Sequence, residues 1–204
     1  MSVPTLPLSL EGMRFKGGRD YLHGTDILPI ALNALSSGRP LNVISEMDIV
    51  FHSLARTGLT LYGDAPSGRK AKAQLSCTID GARCKLTLAE DGRPITDRHP
   101  YAEEQIVAAT MIDVASATAT STGTLPFTNI ERWIAMIKAL HHAAYPQAEG
   151  KWLFARAKLA SYQDLQVEPV EHRVSIQSNF GCKLTRSELT VDGCNLGDIF
   201  FVLA

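Results

Sequence analysis

The residues best suited to chemistry lie in one short segment, residues 17–26. Within it Arg19, Tyr21 and His23 alternate, so in an extended strand their side chains share one face. His23 then lies within a turn of Asp26, where a helix is predicted to begin. An unperturbed histidine has a pKa of about 6.5 and can accept a proton at neutral pH. The segment therefore predicts a proton-transfer site with His23 as its base.

A buried helix is predicted directly after this segment. Thr25 and Asp26 are typical capping residues, and the following stretch 27–35 is apolar almost all round. Pro29 is expected in the first turn, where proline is tolerated, and Ser36-Ser37-Gly38 is expected to end the helix. A helix without a polar face must be buried on most sides, so this one is predicted to lie in the core.

A second helix is predicted over residues 130–144, after the similar triplet Thr128-Asn129-Ile130. Its apolar residues recur at helical spacing: Ile130, Trp133, Ile134, Ile137 and Leu140. Its polar residues are expected mostly off that stripe: Glu131, Arg132, Lys138, His141 and His142. Adjacent helical residues point about 100° apart. The two histidines are therefore predicted to complement the helix dipole rather than to bind a metal.

Strands are predicted before and after each helix. The alternating stretches that follow the helices are 41–54, 58–63, 71–79 and 82–89 in the first half, and 152–161, 170–178, 182–191 and 194–203 in the second. Asp80-Gly81 and Asp192-Gly193 separate the last two strands of each set and are typical of two-residue hairpin turns. One strand is expected before each helix, over 13–22 and 106–120. The same order in both halves predicts an internal duplication.

The two predicted copies differ at the candidate site. When Thr25 is aligned with Thr128, the ionisable residues of the first copy fall opposite neutral residues of the second. The residues concerned in the first copy are Arg19, Asp20, Tyr21, His23 and Asp26, and their counterparts are Thr122, Gly123, Thr124, Pro126 and Asn129. This asymmetry is expected of a duplicated fold that keeps its chemistry at one of two related sites.

One buried helix wrapped by an antiparallel sheet, present twice in one chain, resembles the hot-dog fold in its double form. The resemblance implies an α+β protein with one hot-dog unit over residues 1–100 and a second over 101–204, packed as one pseudo-dimeric domain. It covers nearly the whole chain and depends on element order rather than on a diagnostic motif. A single cystatin-like or nuclear-transport-factor-like cone is the alternative, but it does not predict two matching halves.

The resemblance implies activity on acyl thioesters of coenzyme A or acyl carrier protein. In double hot-dog dehydratases a histidine from the first half and a carboxylate from the second half's helix act on a 3-hydroxyacyl thioester. Here His23 is expected as the base and Glu131 as the acid, with Asp26 as the alternative acid or as the residue that orients His23. Substrate contacts are expected from residues near the two helix starts: Arg19, Tyr21, Gly24 and Asn129.

Other functions stay open at this point. The chain lacks the His-Phe-Pro-Gly run of single-domain dehydratases, the His-x-x-x-Gly-x-x-x-x-Pro pattern of polyketide-synthase dehydratases and the Asp-Gly-His-Val-Asn-Asn type of thioesterase signature. An acyl thioesterase and a non-catalytic module that binds an acyl chain or carrier protein are the alternatives. The site residues also have structural interpretations: Asp26 and Asn129 can cap helices, and Glu131 favours a helix dipole.

Composition limits the remaining classes. The 204 residues carry 20 Lys and Arg against 21 Asp and Glu, a formal charge of -1 that disfavours a nucleic-acid partner. No stretch reaches the roughly 18 apolar residues of a membrane helix, and the first residues lack a basic signal region, so a cytoplasmic location is expected. The four cysteines lack zinc or redox spacing, which predicts reduced thiols and neither metal nor other cofactor. A homodimer and a monomer both stay open.

Overall fold

The computed structural model describes residues 5–36, 44–167 and 169–204. These residues divide into two compact units. One contains the chain up to Tyr101 together with Ser161–Gln163, and the other contains Ala102–Ala160 and Asp164–Ala204. Both units consist mostly of antiparallel strands with few helices. No helix in the described part of the chain is both long and apolar enough to cross a membrane.

The described residues of the first unit form one α-helix and seven strands. In chain order they are β1 (Leu8–Ser9), β2 (Phe15–Lys16), α1 (Gly24–Ser36), β3 (Ile44–Phe51), β4 (Leu59–Tyr62), β5 (Ala71–Ile79), β6 (Ala82–Glu90) and β7 (Arg98–His99). The antiparallel sheet has the order β1-β4-β6-β5-β3, whereas β2 and β7 form a separate parallel pair. Residues 41–43 of the predicted strand 41–54 lie outside the described residues.

Helix α1 is buried as predicted, but it begins earlier than expected. Its apolar residues Ile27, Leu28, Ala31, Leu32 and Leu35 are almost fully buried. The carbonyl of the preceding residue, at position 23, accepts from the amides of residues 26 and 27, so the first turn is already formed at Gly24. The proline at position 29 consequently lies inside the helix, and its expected first-turn position is wrong. Of the predicted stop, only residue 36 lies within the described range.

The strand predicted over 13–22 is wrong except for β2. Gly17 follows β2 with a φ of 56°, a left-handed conformation that suits glycine, and the amide of Arg19 donates to the carbonyl of Lys16. The chain therefore turns directly after Lys16. It becomes extended again only at Leu22, which forms an isolated bridge with Ala55. Alternation along one strand consequently does not explain how the residues of segment 17–26 are placed.

The second unit has two helices and six strands. They are α2 (Glu103–Ala108), β8 (Met111–Asp113), β9 (Thr118–Thr122), α3 (Asn129–Ala144), β10 (Trp152–Ser161), β11 (Glu171–Phe180), β12 (Leu184–Val191) and β13 (Cys194–Leu203). The sheet order is β8-β9-β11-β12-β13-β10. The strand predicted over 106–120 is confirmed only for β8 and the start of β9. Ile106 lies in α2, and the Asp113 carboxylate accepts from the amides of Ala115 and Ser116, which forms a turn between β8 and β9.

Both predicted two-residue turns are confirmed. Asp80 and Gly81 have φ values of 49° and 79°, and Asp192 and Gly193 have 47° and 80°. Two successive positive φ angles are the signature of a type I′ turn, whose twist matches that of the flanking strands. The residues on either side of each turn are paired, so both hairpins have the predicted register.

The two sheets nevertheless differ in strand order, so the duplication is not exact. In the first unit β4 pairs with β6, because residues 63–70 separate β4 from β5 and no hairpin joins them. In the second unit only residues 181–183 separate β11 from β12, and these strands pair as a hairpin. The length of the loop between two consecutive strands thus decides whether they pair with each other as a hairpin.

Helix α3 packs against β8, β9 and β11 and is buried over more of its surface than predicted. A capping box begins the helix: the Thr128 hydroxyl accepts from the amide of Glu131, whose carboxylate accepts from the amide of Thr128. Arg132 and His141 were expected off the buried stripe but are 3% and 0% exposed. They are buried because each has polar partners inside: Arg132 donates to Ser121 Oγ and the Gly123 carbonyl, and His141 Nε2 lies 2.7 Å from Thr185 Oγ1.

Candidate active site at the start of helix α1

A buried lysine lies at the centre of the candidate site in the first unit. The Lys16 side chain is 0% exposed, and its Nζ lies 2.6 Å from Asp26 Oδ1. The same ammonium donates to Thr25 Oγ1 at 2.8 Å. An unpaired buried charge is costly, and this one is compensated by a carboxylate and a hydroxyl from the first turn of α1. The two-residue strand β2 thus fixes a cation against the helix start.

His23 joins this network through Thr25. Its Nδ1 lies 2.8 Å from Thr25 Oγ1, in hydrogen-bond contact, and Thr25 is 2% exposed. The imidazole ring is half-buried. The hydroxyl of Thr25 therefore holds one of the two ring nitrogens of His23.

An aromatic ring covers the cations of the site. Lys16 Nζ lies 4.7 Å from the centre of the Tyr101 ring, and Arg19 Cζ lies 5.4 Å from it. The ring centres of Tyr101 and His23 are 6.4 Å apart, and those of Tyr21 and His23 are 6.5 Å apart. A cation over an aromatic face is attracted by the ring quadrupole. Tyr101 therefore favours the charged lysine in a place that water does not reach.

Arg98 holds the turn that carries Arg19. Its guanidinium donates to the backbone carbonyls of Gly17 and Arg19, the latter at 2.7 Å. Arg98 belongs to β7, the parallel partner of β2, so both strands of this small pair contribute to the site. Asp20, another ionisable residue of the first copy, is exposed, and its Oδ2 lies 3.4 Å from Arg56 Nε.

The structure therefore brings five predicted residues of the first half together: Arg19, Tyr21, His23, Gly24 and Asp26. Gly24 is the first residue of α1, and Asp26 lies in its first turn. Asp26 is an ion-pair partner of Lys16, which favours the orienting role over the acid role among those expected of it.

The two predicted residues of the second half have structural contacts within their own unit. Glu131 Oε2 accepts from the Thr128 amide at 2.8 Å and from the Thr128 hydroxyl at 2.7 Å. Asn129 is not the cap of α3, because Thr128 takes that position. The Asn129 amide instead donates to the carbonyls of Val167 at 2.5 Å and Asp164 at 3.3 Å, which attaches the loop after β10 to the helix.

Two histidines of the second unit are buried in its core. His172 Nδ1 accepts from Trp133 Nε1 at 3.0 Å, and burial together with the charge of Arg132 lowers the pKa of His172 to about 4. Burial, with a smaller effect of His142, lowers the pKa of His141 to about 4. Both imidazoles are neutral at pH 7 and lie among core side chains, which fits a structural role.

Sequence reasoning missed Lys16, Thr25 as a hydrogen-bond relay, and Tyr101. Thr25 was considered only as a helix cap, although its position two residues after His23 places both in one helical turn. Lys16 belongs to no motif in the sequence, where it stands between Phe15 and Gly17 in a segment predicted to be a strand. Nothing in the spacing indicates Tyr101, which is distant from Lys16 in the chain.

Comparison with solved structures identifies the fold. The dehydratase domain of PpsC from Mycobacterium tuberculosis, in complex with C12:1-CoA, matches with a TM-score of 0.55 and 10% identity, over 90% of this chain and 85% of that chain. A variant of the same domain matches with a TM-score of 0.53 and 10% identity, over 97% and 88%. Both are hot-dog folds. This chain has the hot-dog fold.

The resemblance inferred from element order is thus confirmed for the hot-dog fold, while the double form stays a prediction. The tesB protein of Mycobacterium avium subspecies paratuberculosis is a weaker match, with a TM-score of 0.46 and 12% identity over 94% of this chain and 89% of that chain. No protein-family model matches the sequence, and no curated protein matches it either.

Proposed function

We propose that this hot-dog protein acts on acyl thioesters of coenzyme A or acyl carrier protein, as a 3-hydroxyacyl dehydratase or, in the reverse direction, a hydratase. The observation that carries the proposal is the His23–Thr25–Lys16–Asp26 network at the start of a buried hot-dog helix. A solved structure of the same fold contains an acyl-coenzyme A, which supports this substrate class. Fold alone does not give function, so the residues decide.

In the proposed reaction His23 Nε2 accepts the proton from the carbon next to the thioester carbonyl. The electron pair of that C–H bond forms the new double bond, and the C–O bond to the 3-hydroxyl breaks. The departing hydroxide receives a proton from an acid and leaves as water. Thr25 Oγ1 has two lone pairs, so it can accept N–H bonds from Lys16 and from protonated His23 together.

Two carboxylic acids are candidates for the proton donor. Asp26 is close to His23 in the chain but paired with Lys16. Glu131 is held in the capping box of α3. A comparison of Asp26→Asn with Glu131→Gln separates them. Each variant removes a structural contact and should lower stability somewhat, but only the variant of the true acid should lose turnover while the protein is still fully folded in the assay.

The double form belongs to the same proposal. Residues 1–100 and 101–204 would each supply one hot-dog unit, with one central helix and four following strands. The matching type I′ hairpins and the order of elements after each helix support this division. The ionisable residues near α1, compared with the neutral ones before α3, support the first unit as the location of the proposed chemistry.

Intact-mass analysis of thioester substrates tests the function. Saturated and 3-hydroxyacyl thioesters on both carriers are incubated with the wild-type protein, with His23→Gln and with His52→Gln as a matched control, since His52 is exposed in the same unit. We expect loss or gain of one water with the wild type and the control, and neither with His23→Gln. Release of free acid would make the protein a thioesterase, and binding without turnover would make it a non-catalytic module.

A further inference from the structure

We infer that Lys16 is the positioning residue of His23, acting through the hydroxyl of Thr25. The inference rests on the proposed function of His23 and adds a residue that no sequence pattern indicated. Lys16 has no exposed surface, and its ammonium contacts Asp26 at 2.6 Å, Thr25 Oγ1 at 2.8 Å and the ring of Tyr101 at 4.7 Å from its centre. The ammonium therefore has three fixed directions of contact.

The chemistry of these groups determines how the link works. An ammonium has three N–H donors and no acceptor, so Thr25 Oγ1 must accept from Lys16. The hydroxyl then has one lone pair and its own proton left for His23 Nδ1, 2.8 Å away. In both cases Nδ1 stays hydrogen-bonded to Thr25, so the imidazole ring cannot turn freely.

The buried ion pair of Lys16 and Asp26 is poorly explained by a contribution to the stability of the fold. A buried ion pair can often be replaced by apolar side chains of similar volume without loss of stability, because desolvation offsets the attraction. Lys16 instead fixes the hydroxyl of Thr25, and this hydroxyl in turn fixes the orientation of the His23 ring. Reactions that transfer protons depend steeply on such orientation.

The link is tested first without any substrate. Nitrogen-15 NMR of the histidine rings reports the tautomer of His23 in the wild type, in Lys16→Met, in Thr25→Val and in Thr25→Ser. Lys72→Met is the matched control, since Lys72 also pairs with a carboxylate in the first unit but contacts Glu90 instead of the helix start. The wild type, Thr25→Ser and Lys72→Met are expected to show one dominant tautomer of neutral His23. Lys16→Met and Thr25→Val are expected to show signals averaged over the two tautomers of neutral His23.

Kinetics with the thioester then separate positioning from folding. We expect Lys16→Met and Thr25→Val to lower kcat on the order of tenfold to 100-fold with little change in KM, and Thr25→Ser to restore most of the rate. If Lys16→Met leaves the His23 signals as in the wild type, the inference is overturned even when the protein turns over a thioester. If Lys16→Met does not fold, Lys16→Gln, which removes the charge but keeps a polar side chain, gives the same decision.

The two readouts keep this inference distinct from the proposed function. His23 signals that change with Lys16 support the link even if no thioester is turned over. A base at Nε2 requires the tautomer protonated at Nδ1. A dominant tautomer protonated at Nε2, still dependent on Lys16, would therefore support the link while overturning the base role of His23.

Discussion

The two buried histidines of the second unit make a strong prediction for stability as a function of pH. His141 and His172 have no exposed surface, and the pKa of each is about 4 in the folded protein against an ordinary value of 6.5. Trp133 Nε1 can only donate, so the His172 Nδ1 that accepts from it must be unprotonated. Folding therefore selects the neutral form, mainly because burial disfavours the charged one.

The sign and size of the effect follow from linkage. Between pH 6.5 and pH 4 the unfolded chain binds more protons than the folded one, so the free energy of unfolding falls as the pH is lowered through this window. From pH 7 to pH 5 each histidine lowers it by about 2 kcal/mol, and both together by about 4 kcal/mol. Well above pH 6.5 both histidines are neutral in the folded and in the unfolded chain, so they no longer change the free energy of unfolding with pH. Such a loss is a large part of the stability of an ordinary domain.

Urea denaturation at pH 7, 6 and 5 measures this loss. The wild type is compared with the double variant His141→Gln and His172→Gln, in which the pH dependence due to carboxylates remains. The free energy of unfolding of the double variant should fall by about 4 kcal/mol less than that of the wild type between pH 7 and pH 5. Equal pH dependence in the two proteins, or an NMR titration of either wild-type ring with a midpoint near its ordinary pKa, would refute the reasoning. Each single variant should show about half the difference.

Three further predictions concern local geometry. Thr128→Ala removes the cap of α3 and should lower the free energy of unfolding by about 1 kcal/mol, measured by urea denaturation. Gly197→Ala should lower the free energy of unfolding by several kcal/mol or prevent folding, because the added Cβ would lie 2.0 Å from the Lys158 carbonyl oxygen. A variant as stable as the wild type would contradict this prediction. Burial, reinforced by the neighbouring thiol at position 84, raises the pKa of Cys77 to about 12. Iodoacetamide at pH 8 should therefore modify the exposed Cys182 well before Cys77 in a mass-spectrometric time course. Equal rates of modification would show that the thiol of Cys77 is accessible.

Features set by neighbouring residues were predictable from the sequence. The Asp80-Gly81 and Asp192-Gly193 turns and the strand at 71–79 were predicted with their observed bounds, because turn chemistry and alternation are local. The position of α1 was predicted within a few residues, since an apolar segment of this length must be buried. The strand over 13–22 was not predictable in this way, because its alternation is interrupted by a turn at Gly17.

The candidate site was predicted in part for the same reason. His23 and Asp26 were found because they are neighbours of a predictable helix start. Lys16 and Tyr101 were missed because their importance comes from contacts made only after folding, across tens of residues. Asn129 was expected to contact substrate, with a helix cap as the structural alternative, but its amide donates to the Val167 carbonyl, a contact that no local pattern contains.

The different strand orders of the two units also affect how each can assemble as the chain is synthesised. In the second unit β11, β12 and β13 pair with their sequence neighbours, so these contacts have low contact order and each hairpin can form as soon as its second strand exists. In the first unit β3 and β4 pair mainly with β5 and β6, so most of their partner surface is missing until the chain has reached Glu90. Until those partner strands have been made, the edges of β3 and β4 that they cover stay unpaired, and unpaired strand edges are sites of misassociation.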